Sequence, residues 1–177
     1  MREWTIELPG LPTSVDELVA LRDRLATTPE GGVAILVVAL LVWGKDPALG
    51  VKLLTVAIEQ AQLADGPDGV KGKQPGRIVL QNLKDRLLGK PHIIHSLVQG
   101  TSPQSGYALP PPPWRLSGRE QPGDAKGDRV KTFIRSTGAD TPRPVHVVKN
   151  DKGLWKANNW SSIEVGIRAA APPPDDI

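Results

Sequence analysis

Val33-Ala-Ile-Leu-Val-Val-Ala-Leu-Leu-Val-Trp43 runs for eleven positions without a polar side chain. A helix that is apolar all round has to be surrounded by protein or by lipid. At about 1.5 Å of rise per residue the run spans roughly 16 Å, about half of a bilayer core. Gly31-Gly32 on one side and Lys45-Asp46 on the other close it off. The stretch therefore predicts a buried central helix of a soluble domain rather than a membrane span.

Working outward, each flank carries its own start signal. Thr28-Pro29-Glu30 supplies an N-cap, a proline for the first helical position and an acid for the dipole, so the central helix begins near Pro29, and Gly44 ends it. Upstream, Ser14-Val15-Asp16-Glu17 has the form of a capping box, and Val15, Leu18, Val19 and Leu25 repeat with helical period, giving a helix over 15–26. Downstream, Asp46-Pro47 repeats the start signal, and Leu49, Leu53, Val56 and Leu63 carry a third helix to about Leu63. Gly66 to Gly76 reads as an exposed loop, and Ile78, Leu80, Leu83, Leu87 and Leu88 as a fourth helix stopped by Gly89 and Pro91.

Past Pro91 the helical signals cease. Pro110 to Pro113 followed by Trp114 favours extended polyproline geometry. Val130, Thr132 and Ile134 alternate with Lys131, Phe133 and Arg135, and a second β-branched run holds Val145, Val147 and Val148. Asn150-Asp151-Lys152-Gly153 is a turn returning into Leu154–Ala157, and Ile163, Val165 and Ile167 alternate once more. The expectation is an α+β chain: an antiparallel bundle of about four helices over 1–90, a proline-rich extended linker packed on the surface over 91–128, a small antiparallel sheet of three or four strands over 129–170, and a proline-rich tail over 171–177.

Charge is divided along the chain. Residues 1–65 hold 5 Lys+Arg against 9 Asp+Glu, net −4, and residues 66–177 hold 17 against 10, net +7, for a total of +3. A basic second part suits an acidic partner, nucleic acid, or the acidic first part of a neighbouring copy. Cysteine is absent, so disulfides and thiolate metal sites are excluded. The first ten residues lack an apolar signal region, and a cytoplasmic location is the default expectation.

Several phrases carry a resemblance: Gly106-Tyr-Ala-Leu-Pro110, Ser136-Thr-Gly-Ala-Asp140-Thr-Pro-Arg-Pro144, and Gly153-Leu-Trp-Lys156 with Trp160-Ser-Ser162. With Leu18 to Leu25 and Thr28 to Gly32, they make the chain similar to an uncharacterised bacterial family over most of 14–168. The resemblance implies one recurrent two-part architecture and no activity, so it transfers no catalytic residue.

Four groups of residues merit weighing as sites. His92-x-x-His95, with His146 as a third ligand, suits zinc or iron, but Ile93 and Ile94 between the pair are core-like and the metallopeptidase acid is missing. Hydrogen-bonded structural histidines are the preferred reading, and no metal or cofactor is expected. Gly66 to Lys73 fails as a phosphate loop: five residues separate Gly66 from Gly72, Gln74 stands where Ser or Thr would hold magnesium, and a helix precedes it. Lys71, Lys73, Arg77, Lys84, Arg86 and Lys90 form the densest basic stretch, yet 66–90 lacks any aromatic, so non-specific duplex contact is the most it supports. Trp114, Trp155 and Trp160 suit the seam between the two parts or a subunit interface.

Binding or assembly through protein contacts, as a homo-oligomer or larger particle, is thus the expected function. The competing class is an enzyme whose polar site gathers His92, His95, His146, Asp140 and Arg143.

Overall fold

The apolar run is the middle of a 17-residue helix, buried without interruption from Glu30 to Trp43. In the computed structural model, which describes residues 1–121 and 123–172, the elements in chain order are β1 (Arg2–Leu8), α1 (Val15–Leu25), α2 (Pro29–Lys45) and α3 (Pro47–Ala57). A hairpin follows, β2 (Leu63–Val70) and β3 (Lys73–Pro75), then α4 (Arg77–Asn82), a π-helical turn (Leu83–Leu87) and the single turn α5 (His92–His95). The rest is β4 (Trp114–Glu120), β5 (Ala125–Lys126), β6 (Arg129–Ile134), β7 (Arg143–Lys149) and β8 (Trp155–Asn159). No described helix is long and apolar enough to cross a membrane.

The start signals act as read. Ser14 accepts the Glu17 N–H at 3.1 Å, Thr28 that of Gly31 at 3.1 Å, and Asp46 that of Leu49 at 3.2 Å, each satisfying a backbone donor that a helix start leaves orphaned. Burying a Val, Leu or Ile side chain is worth roughly 1.5–3 kcal/mol. Eight such residues between Val33 and Val42, with the two alanines and Trp43, therefore make α2 the axis of the core. Around it pack α1, α3 and α5 and one face of the sheet, in a single continuous apolar cluster.

The mixed α and β character holds, but the sheet is larger than the three or four strands expected. Six strands take part, in the order β1-β4-β6-β7-β8, every neighbouring pair antiparallel, with β5 also paired to β6. Three of them fall where no strand was expected, the shortest being the two-residue β5 at the end of the part read as a linker. β1 lies in the part read as a helical bundle, although Trp4, Ile6 and Leu8 alternate with Glu3, Thr5 and Glu7, the period of a half-buried strand. β4 lies in the part read as a linker, where Trp114 and Leu116 alternate with Arg115 and Ser117; the four prolines precede it rather than replace it.

Four further expectations give way to tertiary contacts. The third helix stops at Ala57 instead of Leu63, because Ile58 bridges Ala157 and the Glu59 N–H donates to Ala157 O at 2.8 Å along the edge of β8. Residues 66–76 are not a free loop: a Cβ on Gly69 would lie 2.0 Å from Lys73 O and 2.4 Å from Thr55 Oγ1, so the glycines there serve close packing of the hairpin on α3. The fourth helix is shorter and passes into the π-helical turn. Ile163 to Ile167 is no strand, since a 3-10 turn (Ser161–Ile163) and positive φ at Gly166 break the extension. Gly31, Gly32 and Gly44 sit inside α2 rather than at its ends. The end of the tail, 173–177, lies outside the described residues.

Candidate functional site

The first structural result about function is a dispersal. His92 and His95 share the α5 turn, His146 is exposed on β7, and Asp140 pairs with Arg168 at 2.7 Å. Arg143 donates to Gly166 O at 2.9 Å. No hydrogen bond joins any two of these five among the described residues, and no group of three or more His, Asp or Glu there is arranged to hold a metal ion. His95 Nδ1 lies 3.1 Å from Tyr107 O, and burial pushes its pKa down while that carbonyl pulls it up. It is thus a satisfied, partly buried histidine of the kind the sequence favours.

The three tryptophans are buried, at 7%, 7% and 6% exposure for Trp114, Trp155 and Trp160. Trp155 packs against Gly32, where a Cβ would approach its own Cβ to 2.8 Å, so it fastens β8 to α2. The 71–90 basic stretch is partly neutralised inside the chain. Lys73 is held by Asp65, and Arg86 lies 3.9 Å from Glu164, leaving Lys71, Arg77, Lys84 and Lys90 exposed and without an ion pair among the described residues.

A denser basic surface forms on the sheet face turned away from α2. Strand alternation sends Val130, Thr132 and Ile134 into the core and Lys131, Phe133 and neighbouring Arg129 and Arg135 outward. Register sets Lys131 directly opposite His146. The Phe133 ring lies between two cations, Arg119 at 5.8 Å and Lys131 at 5.4 Å from its centroid, close enough for cation–π attraction. A recess of about 360 Å³ on this face is lined by Lys126, Arg129, Lys131, His146, Asp124 and Asn158. The sequence already displayed the outward half of the β6 alternation; what it did not show was that the β4–β6 and β6–β7 pairings gather Arg119 and His146 around it.

Two buried titratable groups were not singled out from the sequence. Lys156 donates to Val56 O, and burial lowers its pKa to about 8. Glu164 is 3% exposed; burial raises its pKa to about 7 against the pull of Arg86, and its Oε2 has no hydrogen-bond partner. The available signal for Glu164 was an acid between Ile163 and Val165 in an otherwise apolar run. A wider groove of about 500 Å³ beside α1 is bounded by Pro9 to Pro12. Its acid, Glu17, is already engaged by the Thr13 N–H and hydroxyl at 2.7 and 2.9 Å.

Two of the phrases that carry the family resemblance, 106–110 and 136–144, meet in one lock. Tyr107 is fully buried with φ +58°, its hydroxyl donates to Arg168 O at 2.6 Å, and Gly138 fits against that hydroxyl with no room for a Cβ. Beneath it the Ser96 and Ser136 hydroxyls meet at 2.7 Å and those of Thr101 and Thr137 at 2.9 Å. These residues hold segments 96–110, 136–140 and 167–171 together, a structural task.

No curated protein and no solved structure matches the chain. A family model described as a domain of unknown function, DUF6935, matches residues 10–171, enclosing the 14–168 span over which the resemblance was read. By that match the chain belongs to the DUF6935 family.

Proposed function

We propose that this is a non-catalytic binding protein that assembles with copies of itself, the basic outer face of one sheet receiving the acidic first part of a neighbour. The single observation that carries the reading is the gathering of cations on one face, Arg119 and Lys131 against Phe133, and Lys126, Arg129 and Lys131 with His146 around the adjoining recess. The complementary charge lies in residues 1–65, net −4, with Glu7 on β1 and Asp16 and Glu17 at the start of α1 all exposed. The outer face is basic over β6 and β7, while its β1 edge carries Glu7 and Glu3, the latter paired with Arg135 at 2.7 Å. A contact in which the basic centre of one copy receives the acidic part of the next joins unlike patches, the kind that closes into a ring or continues as a filament.

Size sets the expected strength. Five strands about 4.8 Å apart and five to seven residues long give a face of roughly 500 Å² per partner, about 1,000 Å² in total, the lower bound for a specific interface. An assembly of that area held by charge is concentration-dependent and weakened by salt.

Size-exclusion chromatography with light scattering tests it. At low salt the mass should exceed the 19.0 kDa of one chain, fall towards that value at about 0.5 M salt, and be lost in the double variant Arg129→Glu, Lys131→Glu. A particle of one chain's mass at every salt and protein concentration would overturn the proposal.

A further inference from the structure

Away from the basic face, residues of β8, the 3-10 turn after it and α4 enclose a second recess, of about 240 Å³. Its lining includes Gln62, Asn82, Asn158, Asn159, Ser161 and Glu164. Much of this polar capacity is unused. Glu164 is 97% buried and its Oε2 has no partner, a costly state for a carboxyl group unless something donates to it. The Gln62 and Asn82 side chains make no hydrogen bond among the described residues. Asn158 gives an N–H to Glu59, keeping its carbonyl free, and Asn159 spends its carbonyl on the Ser161 N–H at 3.2 Å, keeping its N–H groups. Apolar surface is supplied by Val79, Trp160 and Ile78, the last 75% exposed at the rim.

We infer that this recess is a binding site for a neutral polyhydroxylated ligand, a single saccharide residue, whose hydroxyls exchange hydrogen bonds with the amides and, as the side chains covering it part, donate to the buried Glu164 oxygen. The chemistry selects this class. A hydroxyl both donates and accepts, and so do the side-chain amides that line the wall. Phosphates and carboxylates find no free cation in the lining, since Arg86 already faces Glu164. Ammonium ligands meet Arg86, which already lies 3.9 Å from Glu164 Oε1. At about 30 Å³ per water the recess holds the volume of roughly eight waters, the size of one pyranose ring. The C–H face of such a ring matches the apolar rim, the combination of apolar walls and a few placed polar groups typical of small-molecule sites. This site shares Asn158 with the recess on the basic face, but its test reads Glu164, Gln62 and Asn82, which that face does not contain, so its outcome is distinguishable from that of self-assembly.

The test is protein-observed NMR on the full chain, titrated with the methyl glycosides of glucose, galactose, mannose and N-acetylglucosamine. At least one should produce saturable shifts in the side-chain N–H₂ signals of Gln62, Asn82 and Asn159, with a millimolar Kd. Glu164→Gln and Asn82→Ala should each weaken it at least tenfold. The Asn82 side chain makes no hydrogen bond among the described residues, so its truncation is expected to leave the fold intact and keeps the test decisive. No saturable shift with any of the four sugars, binding unaltered by both variants, or occupation of the recess by n-butylammonium or inorganic phosphate in place of sugar would each overturn the inference.

Discussion

The contact between α2 and α3 makes a prediction in which local propensity and packing have opposite signs. Gly50 lies within α3, and a Cβ there would fall 2.2 Å from Trp43 Cα and 2.6 Å from Trp43 N. Ordinary van der Waals contact begins near 3.4 Å, a shortfall of about 1.2 Å against backbone, which no rotamer change relieves. The two helices must part, and a radial gap of 0.5–1 Å already forfeits roughly a quarter to a half of each contact's attraction. Overpacking of this kind costs about 3 kcal/mol, against which Gly→Ala returns about 1 kcal/mol of helix propensity. Gly50→Ala is therefore expected to lose about 2 kcal/mol net, lowering Tm by roughly 4–8 °C at this chain length. Gly44 in α2 is the control, since a Cβ there meets nothing within 4 Å. Gly44→Ala should gain a few tenths to about 1 kcal/mol. Urea unfolding followed by tryptophan fluorescence, with Trp43 inside the contact, and thermal melts by circular dichroism measure both. If the two substitutions shift stability in the same direction, the argument that close backbone approach dictates glycine at position 50 is refuted.

Two further outcomes follow from buried polar groups. The raised pKa of Glu164, about 7 against an ordinary 4.5, means that the folded chain retains a proton the unfolded chain has released. The stability it contributes is fully present below pH 4.5 and is lost as pH rises through about 7. The size is on the order of 3 kcal/mol. Glu164→Gln should thus raise stability at pH 8 and flatten the dependence between pH 4.5 and 7, and a variant whose profile parallels the parent's would contradict the assignment. Gly138→Ala should destabilise by about 1–3 kcal/mol, because its Cβ would lie 2.5 Å from the Tyr107 hydroxyl and 2.6 Å from Ile167 Cγ2. Removing that hydroxyl in Tyr107→Phe should relieve part of the cost, so a double-mutant cycle that is additive within about 0.3 kcal/mol would count against the lock.

The legible elements are those whose physics is local. A run with no polar side chain has one way to avoid water, and Ser14, Thr28 and Asp46 can reach their own helix starts whatever the rest of the chain does. The alternation of β6 and β7 likewise announced a half-buried sheet before any pairing was known. The candidate surfaces were less legible. Lys131 and Phe133 stood out as the outward half of a strand, but Arg119 and His146 join them only through pairings between segments far apart in sequence. His92, His95 and His146 looked like a set because their residue type was the same, and the fold keeps the first two on one turn and puts His146 on β7.

Sequence alone determined that α2 is the axis of the core, where three helices begin, and that the chain mixes helix with antiparallel strands. Tertiary structure decided the rest. It recruited residues 2–8 and 114–120 into the sheet, ended α3 at Ala57 by offering Ile58 and Glu59 the edge of β8, and packed a glycine-rich segment against Thr55. The division has one physical reason. A cap or an apolar run is stabilised by neighbours within a turn or two, whereas an edge strand, a glycine contact and an orphaned carboxyl acquire their meaning from atoms a hundred residues away.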